Sequence, residues 1–178
     1  TSPPDSDDPA TLAAWHGLLS KLAGDAPVSD TTYQSVKADV DLENLADYFI
    51  HAHYIGKTDW PYHNWNAYRR KSGDTRFRFF NWDNDTGLNK VNENITLATD
   101  TIDADDAAAR IFLRMSTHPE FRQILADRLF KHVGAPDGAL TPAACAAVYT
   151  AVTDMLDQAV IAGRAVHEHN RLIASVCI

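Results

Sequence analysis

Two aromatic, alternating runs, Asn64-Trp-Asn-Ala-Tyr-Arg-Arg70 and Arg76-Phe-Arg-Phe-Phe-Asn-Trp82, limit what this chain can fold into more than any other feature. Side chains of an extended strand point alternately to its two faces, so these runs have the period of strands rather than of helices. Between them, Lys71-Ser-Gly-Asp-Thr75 carries turn-forming residues, and the whole reads as a β-hairpin. In an antiparallel pair the entry and the exit are neighbours in space. The entry here is Asp59-Trp-Pro-Tyr-His-Asn64 and the exit is Asn81-Trp-Asp83-Asn-Asp85. The hairpin is therefore expected to gather oxygen-bearing side chains from both ends at its open mouth.

Most of the remaining chain has helical period. Thr1 to Pro9 is acidic, proline-rich linker composition. Behind it, Asp8 as N-cap and Pro9 in the first turn predict a helix with Leu12, Trp15, Leu18, Leu19 and Leu22 on one stripe, stopping at Gly24. Ser29 or Asp30 caps a short helix through Tyr33 and Val36. Asp41 opens a stronger one, with Leu42, Leu45, Ala46, Phe49, Ile50, His53 and Tyr54 as its apolar face and Gly56 as its end. Gly87 to Asp103 is polar and irregular, the composition of a surface loop. Three further helices are expected: about Asp105 to Met115; from Pro119, with Phe121, Ile124, Leu125, Leu129 and Phe130 inward, to Gly134; and from Pro142, with Val148, Val152, Leu156, Val160 and Ile161 on one face. There are no internal repeats. The expected fold class is α+β and mostly α-helical, one domain or the larger part of one.

Composition narrows the function classes. With 178 residues, 45% of them hydrophobic, the chain can bury one ordinary core. Net charge is −8, from 24 acidic and 16 basic residues. That argues against nucleic acid or an anionic membrane as partner, since both need a basic face, and suits recruitment of divalent cations. No run approaches the roughly 18 apolar residues that membrane insertion requires. No charged-then-apolar leader opens the chain. It starts at Thr1, as an excised or processed piece would, so the compartment stays open. Cys145 and Cys177 make neither a disulfide framework nor a zinc pair.

The chemistry concentrates at the hairpin mouth. Magnesium is a hard ion that takes oxygen ligands in near-octahedral geometry and keeps several waters. A carboxylate and an amide oxygen, completed by phosphate oxygens, suit it, and a separate carboxylate can accept a proton from an attacking hydroxyl. An aspartate, four intervening residues and an asparagine, then a later aspartate closing an aromatic strand, have the spacing of phosphotransfer machinery. The same residues also serve as turn and strand-end caps, and spacing alone leaves both readings open. Asp83-Asn-Asp85-Thr-Gly87 begins like a calcium loop. Its glycine falls one position early and Asn94 stands where glutamate belongs, so an EF-hand is excluded while another calcium site is not. His51 and His53, with His63 nearby, could be zinc ligands, but on a helix the first two face apart, and packing is the expected role. Arg69, Arg70, Arg76 and Arg78 form a basic patch that either contacts phosphate or balances the acidic cluster. Asn84-Asp-Thr86 and Asn94-Ile-Thr96 fit the glycosylation pattern, relevant only in a eukaryotic secretory setting.

These residues carry a family resemblance. Asp39-Val-Asp-Leu-Glu-Asn-Leu-Ala-Asp-Tyr48, Tyr54-Ile-Gly-Lys-Thr-Asp59-Trp-Pro-Tyr-His-Asn64-Trp and Arg78-Phe-Phe-Asn-Trp-Asp83 resemble the CotH (spore-coat protein H) kinase family. So do His118-Pro-Glu-Phe-Arg122, Ala-Asp-Arg128 and Leu140-Thr-Pro142, and the likeness runs in order over roughly residues 10 to 165. It implies the carboxy-terminal lobe of a protein-kinase-like fold, with the β-hairpin carrying the site. The implied activity is transfer of the ATP γ-phosphate to a Ser or Thr hydroxyl of a protein substrate, with Mg2+ or Mn2+. By the same resemblance Asp59 is the catalytic aspartate, Asn64 and Asp83 are metal ligands, and Asp85 is a further candidate ligand. The implied setting is a spore coat or a secreted or cell-surface protein.

Two departures qualify that expectation. The β-rich amino-terminal lobe that closes over nucleotide in the family has no counterpart among these residues. Positioning is most of phosphotransfer catalysis, so this piece alone is expected to be weakly active or inactive. Gly163 to Ile178 also matches nothing in the family, as a linker or altered end would. The alternative is a non-catalytic surface or spore-coat adhesion or scaffolding module that keeps the fold without turnover.

Overall fold

A computed structural model describes residues 8–57, 60, 64–88 and 107–176, the side chains of 107, 158, 162 and 165–176 excepted. The chain divides into two compact units, residues 1–129 and 130–178. The first carries α1 (Pro9–Lys21), α2 (Asp30–Asp39), α3 (Leu42–Tyr54), β1 (Trp65–Tyr68), β2 (Arg78–Asn81), α4 (Ala107–Ser116) and α5 (Pro119–Leu129). The second has a π-helical turn, Phe130–Gly134, and one long helix, α6 (Pro142–Val176). The fold is mostly helical α+β, with one two-stranded antiparallel sheet among the described residues.

The helix starts follow from their caps. Ser29 Oγ accepts the Thr32 amide at 3.2 Å and Asp41 Oδ1 accepts the Asn44 amide at 3.3 Å, each satisfying one of the donors a helix start leaves over. Asp8 stands at the N-cap of α1, and its carboxylate accepts the Thr11 hydroxyl at 2.7 Å. The core forms where the helical stripes meet the inner face of the hairpin. Trp15 stacks near Trp65 and lies edge-on to Phe77, with centroids 5.9 and 5.1 Å apart. Phe49 of α3 lies flat on Phe112 of α4 at 3.8 Å.

The hairpin pairs Trp65 with Asn81, Asn66 with Phe80, Ala67 with Phe79 and Tyr68 with Arg78. It is shorter than the aromatic runs, and at its entry β1 starts only after Asn64, which leaves strand geometry at φ 61°. The corner between α2 and α3 grips β2. Phe77 N–H donates to Asp39 O at 2.7 Å, and Asp41 N–H to Phe77 O at 3.0 Å. One turn into α3, the Asn44 carboxamide donates to Phe79 O at 3.1 Å and accepts from Phe79 N–H at 2.6 Å. It meets the N–H and C=O of one residue as a neighbouring strand would.

Two expectations fail toward the carboxy terminus. Leu129 and Phe130 do not point inward; they are 49% and 67% exposed. The α6 stripe of Val148, Val152, Leu156, Val160 and Ile161 is also exposed. The period was right, but the described part of residues 130–178 holds no second long helix to lay over it. Helical backbone continues through Gly163 as far as Val176. In the π-helical turn, Ala135 N–H donates to Phe130 O at 2.7 Å, and a Cβ on Gly138 would fall 2.5 Å from His132 O. No described helix is long and apolar enough to cross a membrane. The expected linker up to Asp7 and most of the expected loop from Gly87 to Asp103 lie outside the described residues.

Asn44→Ala removes both partners of the buried Phe79 peptide. It is expected to destabilise the protein by about 2–4 kcal/mol, since each orphaned group costs roughly 1–3. Asn44→Asp keeps only the acceptor and should fall between the two in a urea-unfolding series.

Candidate functional site at the hairpin mouth

The mouth is built from the end of α3 and the two strand ends. Gly56 takes φ 64°, with its N–H bonded to His53 O at 3.2 Å and the Lys57 N–H to Ala52 O at 3.2 Å. This paired closure of a helix end needs a left-handed residue that glycine supplies without strain. It turns the chain so that Lys57 enters the interior, where it is fully buried. The Lys57 ammonium donates to Asn64 O at 2.9 Å and also to Trp82 O. Asn64 and Trp82 stand one step beyond the Trp65–Asn81 pair, so a single cation joins the two chain segments where the ladder stops.

Asp83 follows directly, in left-handed geometry at φ 50°. Both Asn64 and Asp83 thus hold positive φ beside the same clamp. These residue types tolerate that region best outside glycine, and such backbone collects at functional sites. Asp83 and Asp85 are exposed and Asn64 is half-buried. Asp85 lies in a turn closed by Gly87 N–H to Asn84 O at 3.0 Å, with Leu88 N–H donating to Ile55 O at 2.5 Å. That turn sits close to the end of α3, since a Cβ on Gly87 would come within 2.9 Å of Ile55 Cδ1. Asp59 and His63 lie outside the described residues. Of the expected donors, the structure brings the Asn64 and Asp83 backbones to one mouth and sets Asp85 two residues further along. The described donor set is an amide and two carboxylates, all oxygen. Among the described residues no three His, Cys, Asp or Glu side chains gather around one cation position.

The flanking residues are firmly held. Trp60 is buried against Tyr48, Phe49 and His53, and its indole N–H donates to the Tyr48 hydroxyl. His53 Nδ1 bonds Phe49 O at 2.8 Å, a packing role, and His51 lies on the same helix beside Asn81. Burial holds both imidazoles below their ordinary value. At His51 Asn81 pulls the other way and the Lys57 charge adds to the lowering. The Asn81 influence is a contact rather than a formed bond, since His51 Nδ1 and Asn81 Oδ1 are buried without hydrogen-bond partners among the described residues.

Arg69, Arg76 and Arg78 are engaged away from the mouth. Arg76 grips Asp74 through Nε and Nη2 at 2.9 and 2.8 Å, and Arg78 bridges Asp74 and Asp41 at 2.7 and 3.0 Å. These contacts hold the Asp74 carboxyl far below the usual range, its hydrogen bonds to Arg76 first. Arg69 lies over the Phe77 ring at 5.3 Å. Arg76 and Arg78 balance Asp41 and Asp74 rather than the Asp83 and Asp85 pair.

A sequence model of the family described as CotH kinase protein matches residues 14–163. This chain belongs to the CotH kinase family. The match takes in both strands, the mouth and most of α6. Neither a curated protein nor a solved structure matches the chain.

Several motif residues of this CotH kinase family member prove to be scaffolding. Asp47 pairs with Arg128, whose Nε lies 2.7 Å from it. His118 joins Asp30 at 2.9 Å and accepts the Glu120 amide at 3.3 Å. Sequence reasoning passed over Lys57 and Asn44. The signal for Lys57 was a lysine placed directly after a helix-ending glycine and two residues before the acidic loop.

Two outcomes follow from strain and burial. Asp83→Gly should leave the unfolding free energy unchanged or raise it, while Asp83→Val should lower it by about 1–2 kcal/mol, because a β-branched residue resists left-handed geometry. Because His51 and His53 are harder to protonate folded than unfolded, the unfolded state gains protons first as pH falls below the ordinary histidine value of 6.5. Stability should therefore be full above that pH and decline below it. His53→Gln should flatten the slope in denaturation between pH 7.5 and 5.

Proposed function

We propose that this chain is part of an atypical, protein-kinase-like phosphotransferase that moves the ATP γ-phosphate to a Ser or Thr hydroxyl of a protein. The observation that carries the reading is the joining of Asn64 to the Trp82–Asp83 link through one buried ammonium, in a member of the CotH kinase family. The helix-dominated body with a hairpin at its mouth is consistent with the carboxy-terminal lobe of a kinase-like fold.

An all-oxygen donor set, held on constrained backbone and open to solvent, fits Mg2+ or Mn2+. Asn64 and Asp83 would hold the ion, with Asp85 as the further candidate ligand. When bound with ATP, the ion neutralises charge on the phosphate oxygens. Asp59 would orient the acceptor hydroxyl and take up its proton. The chain's own contribution is chiefly position: the donor segments are fixed before any ligand arrives, so little ordering cost remains on binding.

The test joins binding and turnover in the full-length protein. Mg2+ or Mn2+ with ATP should raise the thermal midpoint, as a ligand specific to the native state must, and Asp83→Ala should abolish the rise. Transfer of labelled γ-phosphate to a protein acceptor should fall by about 10²–10⁴-fold in Asp59→Asn. No metal-dependent shift, together with no transfer, would overturn the kinase reading and leave a non-catalytic adhesion or scaffolding module.

A further inference from the structure

We infer that Lys57 is a positioning residue that sets the separation of the two metal-holding segments, an inference that rests on the phosphotransferase reading above. Its ammonium is buried and donates to the main-chain carbonyls of Asn64 and Trp82. Two carbonyl oxygens cannot bond each other. In an ordinary antiparallel ladder, opposed positions one step past Trp65 and Asn81 would continue by N–H to C=O bonds. Here the backbone turns left-handed at Asn64 and again at Asp83, which ends the ladder at the place where the donors must be fixed. The Lys57 cation replaces the missing rung, and a charge-assisted bond to each carbonyl makes that rung stronger than the one it replaces.

A buried ammonium is costly unless its donors are satisfied, and an apolar side chain would fill the same space more cheaply. What the cation adds is a fixed distance between Asn64 and the residue before Asp83. The closure of α3 at Gly56 fixes the root of the lysine, so the rung is anchored in the helix rather than in the hairpin it spans. Phosphate-bound Mg2+ needs ligands near 2.0–2.1 Å in close to ideal octahedral geometry, whereas Ca2+ accepts about 2.3–2.6 Å and irregular geometry. A residue that sets ligand spacing should therefore control the preference for Mg2+ over Ca2+, which a residue that only stabilises the fold would not.

The experiment titrates a fluorescent ATP analogue on the full-length protein with Mg2+ and, separately, with Ca2+. It compares wild type, Lys57→Met, Lys57→Arg and Asp83→Ala, with thermal unfolding of each. In Lys57→Met the ratio of Mg2+-supported to Ca2+-supported affinity should fall about tenfold or more, the usual size of an effect on metal binding exerted through the groups that orient the ligands. Lys57→Arg keeps the charge but spreads its donors over a wider planar fork, so its ratio should lie between wild type and Lys57→Met. If Lys57→Met does not fold, the drop in Lys57→Arg carries the inference alone. An unchanged ratio in the folded Lys57 variants, with binding still lost in Asp83→Ala, overturns the positioning role and spares the phosphotransferase reading. No metal-dependent binding in wild type overturns both.

Discussion

The grip of the α2–α3 corner on β2 is the constraint from which the rest of the site follows. A two-stranded hairpin is marginal in water by itself. Here the parallel contact between Val40 and Phe77, and the Asn44 carboxamide on both polar groups of Phe79, give the inner strand a neighbour that is not a strand. Asp41 closes the start of α3 with one carboxylate oxygen and holds Arg78 with the other. One residue therefore ties helix phase to strand position. Without that tie, Trp65, Phe77 and Phe79 would have no fixed place against Trp15 and Tyr48, and the mouth would have no fixed frame.

The same helix controls the mouth from its other end. Its first turn holds β2 and its last turn, closed by Gly56, directs Lys57 under the strand ends. Both contacts come from one rigid element of 13 residues, so the spacing between scaffold and site is a property of helix length. Trp60 adds a third attachment by packing on Tyr48, Phe49 and His53 along the middle of that helix. The left-handed backbone at Asn64 and Asp83 is tolerable because the clamp and the ladder on either side leave these residues little choice.

How much of this was legible in the sequence depended on the range of the signal. The hairpin and the caps at Ser29 and Asp41 are local, and alternation or a single side chain announces them. The convergence of Asn64 and Asp83 also followed, because antiparallel topology makes entry and exit meet whatever the details. Asn44 was not legible, since it acts on residues that only the folded chain brings near and nothing around it marks an asparagine as a peptide mimic. The helix-ending glycine before Lys57 flagged that position, but not the two carbonyls its ammonium joins. The α6 stripe misled for the opposite reason. Period reports that a helix has an apolar face and is silent on what covers it.

Charge placement joins scaffold to chemistry. The hairpin is rich in arginine, and arginine beside a carboxylate pair would compete with a divalent ion for the same oxygens. In this fold Arg76 and Arg78 are taken up by Asp74 and Asp41 at the turn end and the helix corner, and Arg128 by Asp47 and Glu43. Lys57, the cation nearest the mouth by sequence, donates to carbonyls there. Asp83 and Asp85 keep their exposure while Arg76 and Arg78 are committed elsewhere. On the phosphotransferase reading, an exposed, negatively charged edge on pre-ordered backbone would attract a hard cation at little reorganisation cost, and phosphate would follow once the charge is inverted. The ion pairs that look like surface decoration thereby keep Arg76 and Arg78 from the carboxylates of the mouth.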